Sequence, residues 1–188
     1  MGALQPLEKP LEQLNDKLPK LPKNVKNSIA QFAAWLAVAG AALMAWIVYK
    51  RWDNISDINK AKDSIGEYAS YMSSSYSSEL NDFTTKLWIL LAIAAVAAVL
   101  FGLAFTKLQS FAKQGWDLAL MGILVSIVYA IVFLFIFKDA DFGDVFLHLV
   151  VALAGLYAAL QVKDYFTGKE KVVIAPKAPT PPPTTPQV

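Results

Sequence analysis

The sequence predicts an all-α integral membrane bundle of four transmembrane helices, and three observations predict it. Four separate stretches carry no charged residue and are long enough to cross a bilayer. The charges that remain gather between those stretches. Tryptophan and tyrosine collect where the stretches end, at the depth amphipathic rings prefer. Charged residues make up 17% of the chain, against about 25% in soluble domains, so the deficit is real as well as uneven.

Residues 1–26 come first. Leu4, Leu7, Leu11, Leu14, Leu18 and Leu21 recur at the three-to-four spacing of an amphipathic helix. Pro10 suits a first turn, while Pro19 and Pro22 stop a helix. A short helix near residues 10–17 is expected, lying on the inner membrane surface. The prolines forbid the uninterrupted heptads of a coiled coil. This opening is too polar for a cleavable leader, so the first span is expected to stay in the protein as a signal anchor.

The spans are expected at residues 27–49, 87–106, 118–137 and 145–162. Each holds about 18 to 23 residues, enough at 1.5 Å per residue for roughly 30 Å of hydrocarbon. Backbone groups in lipid must bond within their own segment, which makes each run a helix. Together with the connections they form a membrane domain over residues 27–166. Eleven of the 17 lysines and arginines fall in the N-terminal segment, the second connection and the C-terminal segment. The positive-inside rule then places both termini in the cytoplasm of a multi-pass cell-membrane protein. Lys50 and Arg51 follow the first span on the other side, where snorkelling accommodates them.

Between the first two spans, Ile55, Ile58, Ile65, Tyr68 and Met72 keep a mostly helical spacing. An outer amphipathic helix is expected over residues 54–72, broken by the serines from Ser73 to Ser78. The Pro/Thr-rich tail, residues 167–188, cannot build a core and is expected to be extended and disordered.

Several functions are excluded or weakened. A net charge of +2 with no basic aromatic run argues against a nucleic-acid partner. Zero cysteines removes thiolate metal sites and dithiol redox chemistry. Phosphate loops, zinc spacings and paired carboxylates within the spans are missing, so no catalytic, cofactor or metal set is expected and the chain does not read as an enzyme. Asp139, Asp141 and Asp144 form an outer acidic cluster that reads as solvated rather than as a cation site.

Each span carries a small-xxx-small stripe: Ala33, Ala37 and Ala41 in the first, Ala94, Ala98 and Gly102 in the second, Gly122, Ser126 and Ala130 in the third, and Ala154 and Ala158 in the fourth. Such stripes let helix backbones approach closely. They serve packing within the bundle, with a second copy or another membrane protein as the functional alternative; the lipid bilayer is the other partner. No ionisable residue stands at mid-depth, which argues against an ion-coupled pathway. The polar candidates for transport are Ser126 and Tyr129 in the third span and Asp144 and His148, at i and i+4, opening the fourth.

Lys113-Gln114-Gly115-Trp116, entering the third span, and the proline-spaced leucines of the N-terminus resemble small four-span bacterial integral membrane proteins to which no activity is assigned. The resemblance covers residues 4–166 and implies a bundle without implying an activity, cofactor or site. Two function classes follow: a non-enzymatic accessory, scaffolding or assembly protein, and, as the alternative, a small oligomeric transporter or channel.

Overall fold

The computed structural model describes residues 5–66, 74–137 and 142–172, and every regular element among them is a helix: α1 (Gln5–Lys17), α2 (Lys23–Gly66), α3 (Ser74–Gln109), α4 (Lys113–Ile136), α5 (Phe142–Gln161) and α6 (Lys163–Phe166). Three of them, α2, α3 and α4, are long and apolar enough to cross a membrane. The described apolar part of α5, Phe146–Gln161, falls short of that length. Of the expected outer helix, residues 67–72 lie outside the described residues, as do Asp139, Asp141 and the tail from residue 173.

No proline stands between Pro22 and Pro176, and the helices run correspondingly long. At 44 residues α2 is about 66 Å long, more than twice the hydrocarbon thickness. It carries the first expected span and continues through the charged sequence beyond it to Gly66. Charge ends an apolar run but does not end a helix, since Lys, Arg and Glu are good helix formers. Helix α3 starts at Ser74, so four of the five serines expected to interrupt a helix lie in its opening turns; serine favours helix starts. Beyond the bundle α2 and α3 pair as an antiparallel hairpin. Ile55 is buried there, Lys62 bonds Asn81 at 2.9 Å and Thr84 at 3.1 Å, and Trp52 meets Trp88 edge-on at 5.8 Å.

The bundle is built in chain order. Helix α3 packs along α2, α4 along α3, and α5 along α4, while α2 and α5 barely meet. The core therefore sits on α3 and α4: Leu90, Ala94, Ala97, Ala104, Leu120 and Ala130 have no exposed surface. Large side chains point outward instead, Trp35 at 63% exposed, Leu103 at 57% and Phe135 at 78%. An apolar exterior over a core of small residues is the inverse of a soluble bundle and supports a membrane protein.

The turn between α3 and α4 is tight. Phe111 takes φ of 51°, in the left-handed region that usually falls to glycine, while the Ala112 N–H donates to the Lys107 carbonyl and the Phe111 N–H to that of Leu108. This is the Schellman pattern of a helix C-terminus. Stacking of Phe111 on Phe166, with ring centroids 5.6 Å apart, offsets the strain of placing a side chain there. Gly115 is then obligatory: a Cβ on it would lie 2.5 Å from the Leu108 nitrogen and 2.6 Å from the Lys107 carbonyl carbon.

Helix α1 folds back on the same end. Glu12 pairs with Lys163 at 2.6 Å, the Gln161 amide donates to Asn15 at 2.8 Å and accepts the Leu21 N–H at 3.1 Å, and the Tyr157 hydroxyl donates to the Pro19 carbonyl. Leu11 packs on the core while Leu7 and Leu14 stay exposed. The leucine stripe is thus split between the bundle and the outside. We call this the terminal end and the opposite one the hairpin end.

Candidate functional site

The sparse contact between α2 and α5 leaves a groove of about 450 Å3 between them. Its floor is Phe101 of α3 with Trp116, Ile123 and Ser126 of α4; its walls are largely Ala33, Ala37 and Gly40 on α2 and Ala152, Gly155 and Ala158 on α5. Small walls are why the groove exists, because leucine at these positions would fill it. Along the rim stand Leu36, 56% exposed, and Val151, 51% exposed. Since those residues face outward, the groove opens sideways from the bundle. Its lining is almost wholly apolar.

Phe101 fixes the groove floor. Its ring sits between Gly40 and Gly122, and a Cβ at these glycines would come within 3.3 Å and 3.1 Å of it. The two small residues make a slot for one large one, locking α2, α3 and α4 together.

At the hairpin end the sequence-predicted polar residues converge. His148 meets Tyr129 edge-on with ring centroids 5.5 Å apart and lines the groove together with Ser126. The Ser126 hydroxyl donates within its own helix to the Gly122 carbonyl at 2.8 Å. Serine back-bonding of this kind satisfies the hydroxyl without a partner helix. Asp144 lies on α5 one turn before His148, and its side chain is outside the described residues.

Arg51 joins them, and the sequence reading missed it. Rather than snorkelling outward, it reaches onto α4, where its Nε donates to the Tyr129 hydroxyl at 3.1 Å and its guanidinium carbon lies 4.6 Å from the Phe133 ring centroid. Lys50, its neighbour, lies over Trp46 on the outer face instead. Adjacent helical residues point in different directions, so the two cations part. The available signal was Tyr129 itself, because a buried phenol needs a partner.

The terminal end holds a second polar cluster. Gln161, 3% exposed, ties α5 to both Asn15 and Leu21. Trp116 donates its indole N–H to the Ala159 carbonyl at 2.8 Å, under the Lys163 ammonium 5.6 Å away. Burial first, and the neighbouring Glu170 carboxylate second, hold the Tyr165 hydroxyl above the usual tyrosine range. Among the described residues no group of three His, Asp or Glu side chains is placed to hold a metal ion.

Fold and site together define an all-helical protein with three helices long and apolar enough to cross a membrane and a lateral apolar groove. No protein-family model, curated protein or solved structure matches the chain.

Proposed function

We propose that the chain is a four-span membrane protein with both termini in the cytoplasm, acting as a non-enzymatic accessory or scaffold in the assembly of other membrane components. The observation that carries this reading is the direction of the groove. It opens sideways between α2 and α5 and has an apolar lining, while the nearby hydroxyls are spent on internal bonds. An apolar lateral groove suits contact with something in the plane of the membrane. It offers water or an ion no continuous set of ligands.

The fourth span is supported by α5 lying antiparallel along α4, from Ala159 beside Trp116 to His148 beside Tyr129. Orientation is supported by the lysines of the terminal end. The alternative, an oligomeric transporter or channel, draws on the convergence of Ser126, Tyr129 and His148 with Arg51.

The scaffold reading is tested by extracting the full chain gently from its native membrane and identifying what accompanies it. A stoichiometric membrane protein partner is expected; a lone monomer, or ion flux through the purified protein in vesicles, overturns the reading. Because the chain has no cysteine, a single Ser74→Cys tests orientation cleanly. An impermeant thiol reagent should label it in intact cells, and protection there overturns the proposed topology.

A further inference from the structure

We propose that the groove between α2 and α5 holds one acyl chain of an anionic phospholipid from the terminal-end leaflet, with its phosphate at Lys26 and the start of α2. The inference rests on the membrane placement proposed above and not on the scaffold role.

Volume selects the occupant. A methylene takes up about as much space as a water molecule in the liquid, roughly 30 Å3. A groove of about 450 Å3 therefore accepts about fifteen of them, the length of one fatty chain. A whole transmembrane helix, 10–12 Å across with its side chains, is far larger than this space. The groove runs from Ile29 to Met44 on α2, about 22 Å at 1.5 Å per residue, which matches an extended chain rather than a compact ligand.

Charge selects the headgroup and the end at which it sits. Lys26, Ile29, Ala33, Ala37 and Gly40 follow one another at three-to-four spacing on one face of α2, and the last four line the groove. Lys26 thus stands at the terminal mouth. Lys23 begins the same helix, and its first turn contains no acidic residue. Two cations at a helix N-terminus oppose the helix dipole, so α2 concentrates positive potential where a negative charge is needed. Among the described residues no carboxylate forms an ion pair with Lys23 or Lys26. At the other end, by Ser126 and His148, the nearby cation Arg51 is already held on the Tyr129 hydroxyl and the Phe133 ring, so the lipid enters tail first from the terminal leaflet.

Trp116 provides the test. It lies on the groove floor and is otherwise buried, so an acyl chain lying in the groove comes nearer to it than the lipids surrounding the bundle. In the full chain, Trp35, Trp46, Trp52 and Trp88 are replaced by Phe, leaving Trp116 as the sole indole. The protein is reconstituted in phosphatidylcholine–phosphatidylglycerol vesicles with acyl-chain bromine on one lipid or the other, at equal bromine content. Brominated phosphatidylglycerol should quench Trp116 the more strongly, with a binding preference of ~5-fold for each lysine engaged. Lys26→Gln should reduce that preference, and Ala33→Leu with Ala158→Leu should abolish quenching by both lipids while helicity stays unchanged. Equal quenching by the two lipids in the unmodified groove overturns the headgroup assignment. Quenching that survives the filled groove, or a cross-linked second copy protecting Trp116, overturns the lipid itself. Should the filled variant fail to fold, Lys26→Gln alone decides the headgroup. Failure of the chain to insert into vesicles at all counts instead against the membrane placement.

Discussion

Helix α2 has two seams, and they are built from the same kind of residue with opposite results. Toward α3 it presents Ala30 and Ala34, both buried, and the helices close. Toward α5 it presents Ala33 and Ala37, opposite Gly155 and Ala158, and the helices stay apart around a groove. The difference is the presence of a large residue to fill the space that small ones leave. On the closed side Phe101 fits the slot between Gly40 and Gly122. On the α5 side the aromatic residues of the lining, Phe101, Trp116 and Phe166, leave the groove open. Small residues permit close approach; they do not bring it about.

The comparison breaks most readily at Gly115, which lets the α4 backbone reach α3. Gly115→Ala should gain helix propensity yet destabilise by ~3 kcal/mol, because the new methyl meets backbone rather than a yielding side chain. Denaturant unfolding of the purified protein in mild detergent measures this. An unchanged midpoint would mean that the α3–α4 turn does not set the closed side.

Next comes Phe101. In hydrocarbon the removed ring loses no hydrophobic transfer energy, since lipid is as apolar as the core. The cavity cost remains, so Phe101→Ala should cost ~2 kcal/mol, below the usual range for a buried phenylalanine in a soluble protein. It should also deepen the groove, which brominated-lipid quenching of Trp116 would report as an increase. A loss of stability without added quenching would separate the slot from the groove.

Much of this was legible in the sequence, and the missing parts have a common cause. Apolar runs located where α2, α3 and α4 cross the bundle. Their ends were not legible, because the Lys50-Arg51 pair breaks hydropathy without breaking helix. Ser126, Tyr129 and His148 stood out as polar residues in apolar surroundings, and the structure brings them together. Arg51 and Gln161 did not stand out, since each lies at the end of a span, where polar residues are ordinary. Gly155 and Gly122 were equivalent in sequence. Only tertiary packing distinguishes the glycine under a phenylalanine ring from the one lining an opening.

The pairing of Arg51 with Tyr129 adds a link across α2 and α4 above the closed side. A hydrogen bond from a charged group contributes about 1.5–3 kcal/mol when well buried, and Arg51 is only partly so. A double-mutant cycle of Arg51→Gln and Tyr129→Phe should therefore show a coupling of ~1 kcal/mol. Additive effects would mean that the guanidinium rests on the ring of Phe133 without binding the phenol.

The finest distinction comes from making one substitution on each side. Alanine is favoured over glycine within a helix by ~1 kcal/mol, so Gly→Ala stabilises wherever the methyl has room. At Gly155 it has room: the nearest atom, Ile123 Cδ1, would be 3.8 Å away. At Gly122 the methyl meets the Phe101 ring at 3.1 Å, inside ordinary contact distance, and that ring is held from the far side by Gly40. Gly155→Ala should therefore raise the thermal midpoint by ~2 °C, as a gain of somewhat under 1 kcal/mol implies for a chain of this size. Gly122→Ala should leave it unchanged or lower it. Equal gains at both positions would show that Phe101 moves freely in its slot, and the closed side would then be no better packed than the open one.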